Sequence, residues 1–185
     1  MNILVPIMQG FEEIELVSII DTLRRADINI IIARDSNNDD EMVIGAHNII
    51  IKSMCKISQV DIDSLDGIAL AGGFEGMLNL KNSKEIIEIL QKLDKQNKLI
   101  SAICASPIVL AQAGVLKNHF TCYPGCESEI QVATKYTQQA TCIDENIITA
   151  NGPASGILFA LEIIKKLQGK EKYNKIKSEM LIVES

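Results

Sequence analysis

The chain has 185 residues, of which 47% are hydrophobic, and a formal net charge of -6 at pH 7. This length suits a single domain, residues 1–185, whose core is large enough to fold without a disulfide framework. The negative charge argues against nucleic acid or an anionic membrane as a partner. Acidic residues follow the first apolar run too early for a signal peptide, and no run of 18 apolar residues occurs, so we expect a cytoplasmic protein.

Continuous apolar runs alternate along the chain with helix-type patterns. The runs occupy residues 2–7, 28–33, 67–71 and 99–103. Because they lack polar alternation, they predict strands that are covered on both faces. Apolar stripes with i, i+3, i+4, i+7 spacing between the runs predict two helices. The first stripe is Leu16, Ile19, Ile20 and Leu23, and the second is Ile86, Ile89, Leu90 and Leu93. This order predicts a mainly parallel sheet with helices on both faces.

Two segments depart from the simple alternation. Residues 35–66 begin with the turn-rich DSNNDDE, and the short pieces MVIG and NIIIK around Gly45 indicate a small antiparallel excursion at one sheet edge. Near the C-terminus, the NGP sequence predicts a turn with Pro153 in the first helical turn, and Gly169 ends that helix. The tail, residues 170–183, predicts a last helix. Its apolar residues that need a covering surface are Tyr173, Ile176 and Met180.

Five cysteines, an odd number, argue against a secreted disulfide framework. Only Cys122 and Cys126 are close in sequence, at C-x3-C, and the two histidines, His47 and His119, do not complete a zinc pattern. We therefore expect no metal and no cofactor. Structural positions are expected for Cys55, Cys126 and Cys142, and loop or edge positions for both histidines.

Cys104 lies where an apolar strand turns within two residues into a helix, in the segment SAICASP. Such an elbow needs small residues two positions before and after the nucleophile, and Ala102 and Ser106 meet this need. Pro107 suits the first helical turn. Free amides and the helix dipole at this point would lower the thiol pKa from about 8.5 and make Cys104 nucleophilic. The alternative is that Cys104 only fills a small buried site.

Two further segments follow predicted strands. Gly72 and Gly73 come after the third run, where their amides can approach a substrate oxygen or an oxidised sulfur, although a tight turn would also explain them. The segment GFEEIE follows the first run, and its carboxylates suit the start of a helix. An inward-facing carboxyl there would have a raised pKa and could donate a hydrogen bond to a thiolate.

Four segments, QGFEEIELV, AGGFEG, SAICASP and TANGPAS, together resemble the ThiJ/PfpI superfamily, in the branch of the parkinsonism-associated protein deglycase. The resemblance spans nearly the whole chain. It implies a flavodoxin-like three-layer sandwich, a homodimer, and a thiol that oxidises readily to a sulfinate. It also implies that Glu15 is the protonated partner of Cys104. We expect the amides of Gly72, Gly73 and Ala105 to form an anion-binding lining beside the sulfur.

The function implied by the resemblance is cysteine-dependent chemistry on small dicarbonyls or glycated adducts. In the glyoxalase form, Cys104 attacks the aldehyde of methylglyoxal, Glu15 moves a proton between adjacent carbons, and hydrolysis gives lactate. The alternative is a non-enzymatic redox sensor or redox-regulated chaperone that acts through oxidation of Cys104.

Two positions depart from the family pattern, and two others are expected near the pocket. Tyr123 stands where the branch often has a histidine before a proline, and Ala105 stands where protease and amidase members have a histidine, which argues against peptidase or amidase activity. Phe74 places a ring beside the glycine pair, and we expect it to shield a small pocket. Cys122, next to Tyr123, is also expected near the pocket, either as a resolving thiol or as a structural residue, and we adopt the structural interpretation.

Overall fold

A seven-stranded sheet lies between two layers of helices in the computed structural model, which describes residues 1–182. The strands in chain order are β1 (Asn2–Ile7), β2 (Asn29–Arg34), β3 (Met42–Ile44), β4 (Ile50–Lys52), β5 (Cys55–Lys56), β6 (Gly67–Leu70), β7 (Leu99–Ile103), β8 (His119–Phe120), β9 (Lys135–Tyr136), β10 (Thr141–Asp144) and β11 (Ile147–Ala150). The α-helices are α1 (Glu13–Arg25), α2 (Phe74–Asn82), α3 (Lys84–Lys95), α4 (Pro107–Gln112) and α5 (Gly156–Glu179).

The strand order is β10-β11-β7-β6-β1-β2-β5, and every pairing in this sheet is parallel except that of β10 with β11. The four apolar runs form β1, β2, β6 and β7, which are adjacent in the sheet. The predicted flavodoxin-like α/β fold is therefore confirmed. The carboxyl ends of these parallel strands meet at one edge, where open α/β sheets bind ligands.

Apolar side chains cover both faces of the central strands. On β1, Ile3, Val5 and Ile7 pack into one cluster together with α1 and α5, whereas Leu4 packs into the other together with α2, α3 and α4. We call these the α1/α5 cluster and the α2–α4 cluster. Both sides of a strand are thus buried, which explains why its sequence is apolar at successive positions.

The two irregular segments also follow the sequence closely. β3 and β4 form a separate antiparallel pair, and β5 then joins the sheet edge beside β2. At Gly169, where φ is 86°, α5 breaks into two helical pieces, and the second piece buries Ile176 against the α1/α5 cluster. Pro153 differs from the prediction, since it begins a short 3-10 turn and the α-helix starts at Gly156. Val183 of the predicted tail helix lies outside the described residues.

Helix α2 and strands β10 and β11 had no matching prediction from the sequence. The apolar residues of α2 are few, and β10 and β11 are only four residues each. Within residues 1–182, every helix is too short or too polar to cross a bilayer.

Candidate functional site

Cys104 immediately follows β7 and has a φ of 64°, a left-handed value that is uncommon outside glycine. Its backbone is fixed on both sides: its N–H donates to the Ala150 carbonyl at 2.9 Å, and its carbonyl accepts from the Tyr123 N–H at 2.8 Å. Neighbouring segments therefore hold the strained residue in place. Strain of this kind is frequent where a side chain must be aimed at a ligand.

The small residues around the elbow allow the strand and the next helix to approach each other. Ala102 and Ser106 are both fully buried, and Ser106 Oγ donates to the Ala71 carbonyl at 2.6 Å. Pro107 is the first residue of α4, where its missing N–H costs no hydrogen bond. A strand, a sharp turn at Cys104 and a helix occur here in the order that the sequence predicts.

Glu15 is fully buried on the first turn of α1, with its carboxyl directed at the same site. Its Oε2 accepts a 2.7 Å hydrogen bond from the Gly72 N–H, while Oε1 has no partner of good hydrogen-bond geometry among residues 1–182. Burial, assisted by the charge of Glu12, raises the pKa of Glu15 to about 7, although the Gly72 amide and the Cys104 side chain act in the opposite direction. The carboxyl can therefore both hold and release a proton near neutral pH.

Gly72 leaves the space in which Glu15 and Cys104 meet. A Cβ at this position would lie 2.7 Å from the Cys104 Cβ and 2.7 Å from Glu15 Oε2. The Gly72 amide differs from the sequence expectation, because its hydrogen bond goes to Glu15 and it does not line an anion site. Any larger residue here would push the thiol and the carboxyl apart.

The amides of Gly73 and Ala105 face the Cys104 sulfur and act to lower the pKa of the thiol. Gly73 has a φ of +89°, and a Cβ there would collide with the Gly10 carbonyl oxygen, so glycine is required for both conformation and space. These two amides are placed as the sequence analysis expects, and their role in anion binding stays a proposal.

The predicted acidity of the Cys104 thiol needs a correction. Burial, followed by the charge and the hydrogen bond of Glu15, raises the pKa of Cys104, and these effects outweigh the two amides. Local backbone groups alone do not make the thiol acidic. Cys104 and Glu15 each act on the pKa of the other, so the two groups titrate as a pair.

The three predicted pocket residues have different surroundings. Phe74, the first residue of α2, is 73% exposed, so its ring does not shield the sulfur as expected. Tyr123 is half exposed, and one of its ring carbons would lie 3.3 Å from a Cβ at Gly152. Cys122 is 0% exposed and packs in the α2–α4 cluster, whereas Cys104 packs in the α1/α5 cluster. This separation supports the structural interpretation of Cys122.

Glu12 is the N-cap of α1, a role that the sequence pattern alone did not assign to Glu12 rather than to Glu13. Its Oε2 accepts from the Glu15 N–H at 2.7 Å and caps α1. The three-residue spacing from Glu12 to Glu15 is that of a capping box, and this spacing could have identified Glu12 as the helix cap from the sequence. In a full capping box the second side chain turns back to the cap, but here Glu15 turns to Gly72 instead.

Both histidines of the chain are engaged by carboxylates, His47 with Glu13 at 2.8 Å and His119 with Asp144 at 3.8 Å. Glu12, Glu13 and His47 bring atoms of ligand type within 4.8 Å of one another. Hydrogen bonds from backbone amides already account for the positions of both carboxylates. We assign no metal to this group.

The geometry of the elbow, the glycine pair and the buried carboxyl agrees with a match to a known family. Residues 1–166 match the DJ-1/PfpI family. The chain belongs to this family. The resemblance that the four sequence segments carry is thereby confirmed.

Three relatives show how far the similarity extends. The chain is 34% identical to protein DJ-1 homolog B of Arabidopsis thaliana over 92% of its own length, and it spans 39% of that longer protein. It is 31% identical to the glutathione-independent glyoxalase DJR-1.2 of Caenorhabditis elegans, over 89% of this chain and 87% of that protein. Among solved structures, oxidized DJ-1 of Toxoplasma gondii has 35% identity and a TM-score of 0.92, with 99% of each chain covered.

Proposed function

We propose that the chain converts small dicarbonyls such as methylglyoxal to hydroxy acids, with Cys104 as nucleophile and Glu15 as proton carrier. The observation that carries this proposal is the fully buried Glu15 carboxyl beside Cys104, whose pKa is raised to about 7. A general acid–base works best when its pKa is near the working pH. The glyoxalase name of the Caenorhabditis elegans relative supports the same reaction class.

The proposed reaction begins with transfer of the Cys104 proton to Glu15. The thiolate then attacks the aldehyde carbon, a C–S bond forms, and Glu15 returns the proton to the aldehyde oxygen to give a hemithioacetal. The ionised Glu15 next takes the proton from this carbon and delivers it to the adjacent carbonyl carbon. The hydroxyl proton moves to the oxygen of that second carbon, which produces a thioester of lactate. Water cleaves the thioester and releases lactate and the free thiol. The net reaction adds one water to methylglyoxal and needs no oxidant.

The surrounding backbone groups suit these steps. The amides of Gly73 and Ala105 face the sulfur, so they stabilise negative charge there before attack. The free Oε1 of Glu15 is the atom available for proton transfer, because Oε2 is held by Gly72. Peptidase chemistry is not proposed, since Ala105 supplies no base and both histidines bind carboxylates elsewhere.

The test is lactate production from methylglyoxal by the purified protein, compared with Cys104→Ser and with Cys122→Ser as the matched control. We expect Cys104→Ser to reduce the rate to the uncatalysed background and Cys122→Ser to retain most of it. Thermal unfolding of each variant checks that it is folded. Equal, negligible rates in the wild type and Cys104→Ser would contradict the enzymatic proposal.

A second candidate is a redox sensor or redox-regulated chaperone that acts through oxidised Cys104. The amides of Gly73 and Ala105 that face the sulfur would also hold the oxygens of a sulfinate. The oxidized form of the similar Toxoplasma gondii protein supports this candidate. Loss of lactate production together with ready oxidation of Cys104 would favour it. Activity on glycated proteins, homodimer formation and a cytoplasmic location stay predictions.

A further inference from the structure

Glu12 is a buried carboxylate, 8% exposed, that joins the two segments holding Glu15. Its side chain accepts from the Glu15 N–H at 2.7 Å, and its own N–H donates to the Gly72 carbonyl at 3.0 Å. Gly72 in turn donates to Glu15 Oε2 at 2.7 Å. The three residues form a closed ring of hydrogen bonds, and Glu12 brings a second carboxyl into the environment of Glu15.

The charges around Glu15 come from a small set of groups. Cys104 approaches from the end of β7, Gly72 offers only its backbone, and α5 comes close through Gly156. Glu12 raises the pKa of the Glu15 carboxyl. The adjacent Glu13 is turned towards His47, which it binds at 2.8 Å.

Transfer of the proton within the pair can be written as Cys104–SH plus Glu15–COO⁻ giving Cys104–S⁻ plus Glu15–COOH. An S–H bond breaks, an O–H bond forms, and the net charge of the pair stays the same. Because the net charge of the pair is unchanged, a third charge that acts mainly on one member shifts the proton towards that member or away from it. Glu12 accepts a hydrogen bond from the Glu15 backbone, and its charge acts on the Glu15 carboxyl. The groups that act on the Cys104 thiol are Glu15 and the amides of Gly73 and Ala105.

We propose that Glu12 is a positioning residue whose negative charge shifts the shared proton towards Glu15 and thereby raises the fraction of Cys104 that is thiolate. The inference rests on the Cys104–Glu15 pair of the proposed function. It assigns to Glu12 an electrostatic role in addition to its capping of α1.

The test compares charged and neutral residues at position 12 by the ultraviolet absorbance of the thiolate at neutral pH. Each variant is measured against the same variant with Cys104→Ser, so that only the Cys104 thiolate contributes. Glu12→Gln keeps an oxygen to accept from Glu15 but removes the charge. We expect it to lower the thiolate fraction of Cys104 by at least about threefold. Glu13→Gln removes the same charge one residue away, and we expect the fraction to stay unchanged.

A second pair keeps the test decisive if Glu12→Gln folds poorly. Glu12→Asp and Glu12→Asn are both good helix caps and differ only in charge. We expect more thiolate in the Asp variant than in the Asn variant. Equal thiolate fractions within each matched pair would overturn the proposal and leave Glu12 with a capping role only. The readout does not depend on lactate, so a protein with no glyoxalase activity can still show the effect.

Discussion

Cys104 and Cys122 are both buried thiols, yet their surroundings differ in the one respect that matters for chemistry. Burial is the largest cause that raises the pKa of each, to about 12 for Cys122. Cys104 lies at the carboxyl end of β7 beside Glu15 and two amides, whereas Cys122 lies inside the α2–α4 cluster. Burial alone therefore does not distinguish a reactive thiol from a structural one. The two thiols differ in their carboxyl neighbour: Glu15 acts on Cys104 through a hydrogen bond and its charge, whereas Glu127 acts on Cys122 through its charge alone.

The largest expected difference between the two thiols is in their rates of oxidation when they compete for the same oxidant. Under limiting peroxide we expect two oxygens to add at Cys104 while Cys122 stays reduced, because Cys122 is 0% exposed. If exposing Cys122 needs a local opening of about 4 kcal/mol, its oxidation is slower by about a thousandfold. Mass spectrometry of tryptic peptides resolves the two sites, because Lys117 lies between them. Comparable oxidation of both peptides would show that Cys104 is no more reactive than Cys122.

Sequence patterns identified the thiol because its elbow is local. The small residues Ala102 and Ser106 and the helix-starting Pro107 all lie within three positions of Cys104. The central strands could also be predicted from the sequence, since burial on both faces makes them continuously apolar. These features depend on neighbours in the chain, and a single sequence contains that information.

The parts that the sequence did not reveal depend on contacts between distant segments. The Gly72 amide was expected to face an anion, but it donates its hydrogen bond to the Glu15 carboxyl. Because 57 positions separate the two residues, the sequence does not show this contact. The expected acidity of Cys104 likewise omitted the burial and the Glu15 charge that raise its pKa. Phe74 was placed over the pocket because it follows Gly73, yet the direction of α2 leaves it in solvent. Adjacency in sequence did not settle the direction of a side chain.

The pH dependence of stability separates the two sites, because Glu15 beside Cys104 is fully buried, whereas Glu127, the carboxylate that acts on Cys122, is only partly buried. Burial raises the pKa of Glu15 from 4.5 to about 7, so the folded protein binds more protons than the unfolded chain between these values. Its contribution to stability is greatest below about pH 4.5 and declines as pH rises to about 7, by roughly 3 kcal/mol. Urea unfolding of the wild type and Glu15→Gln at several pH values measures the difference. An unchanged slope in Glu15→Gln would show that Glu15 is not the titrating group.

The smallest expected effect concerns the close spacing of Cys104 and Glu15. It shows whether this spacing, and not burial alone, makes Cys104 reactive. Gly72→Ala would place a Cβ 2.7 Å from the Cys104 Cβ. Gly67→Ala, at the first residue of β6, would place a Cβ 2.6 Å from the Leu99 carbonyl oxygen. Both variants should lose about 1–3 kcal/mol of stability through overpacking. We expect only Gly72→Ala to slow thiol alkylation, by about tenfold, because it separates the sulfur from Glu15. Equal alkylation rates in the two variants would mean that general packing governs this thiol as it governs Cys122.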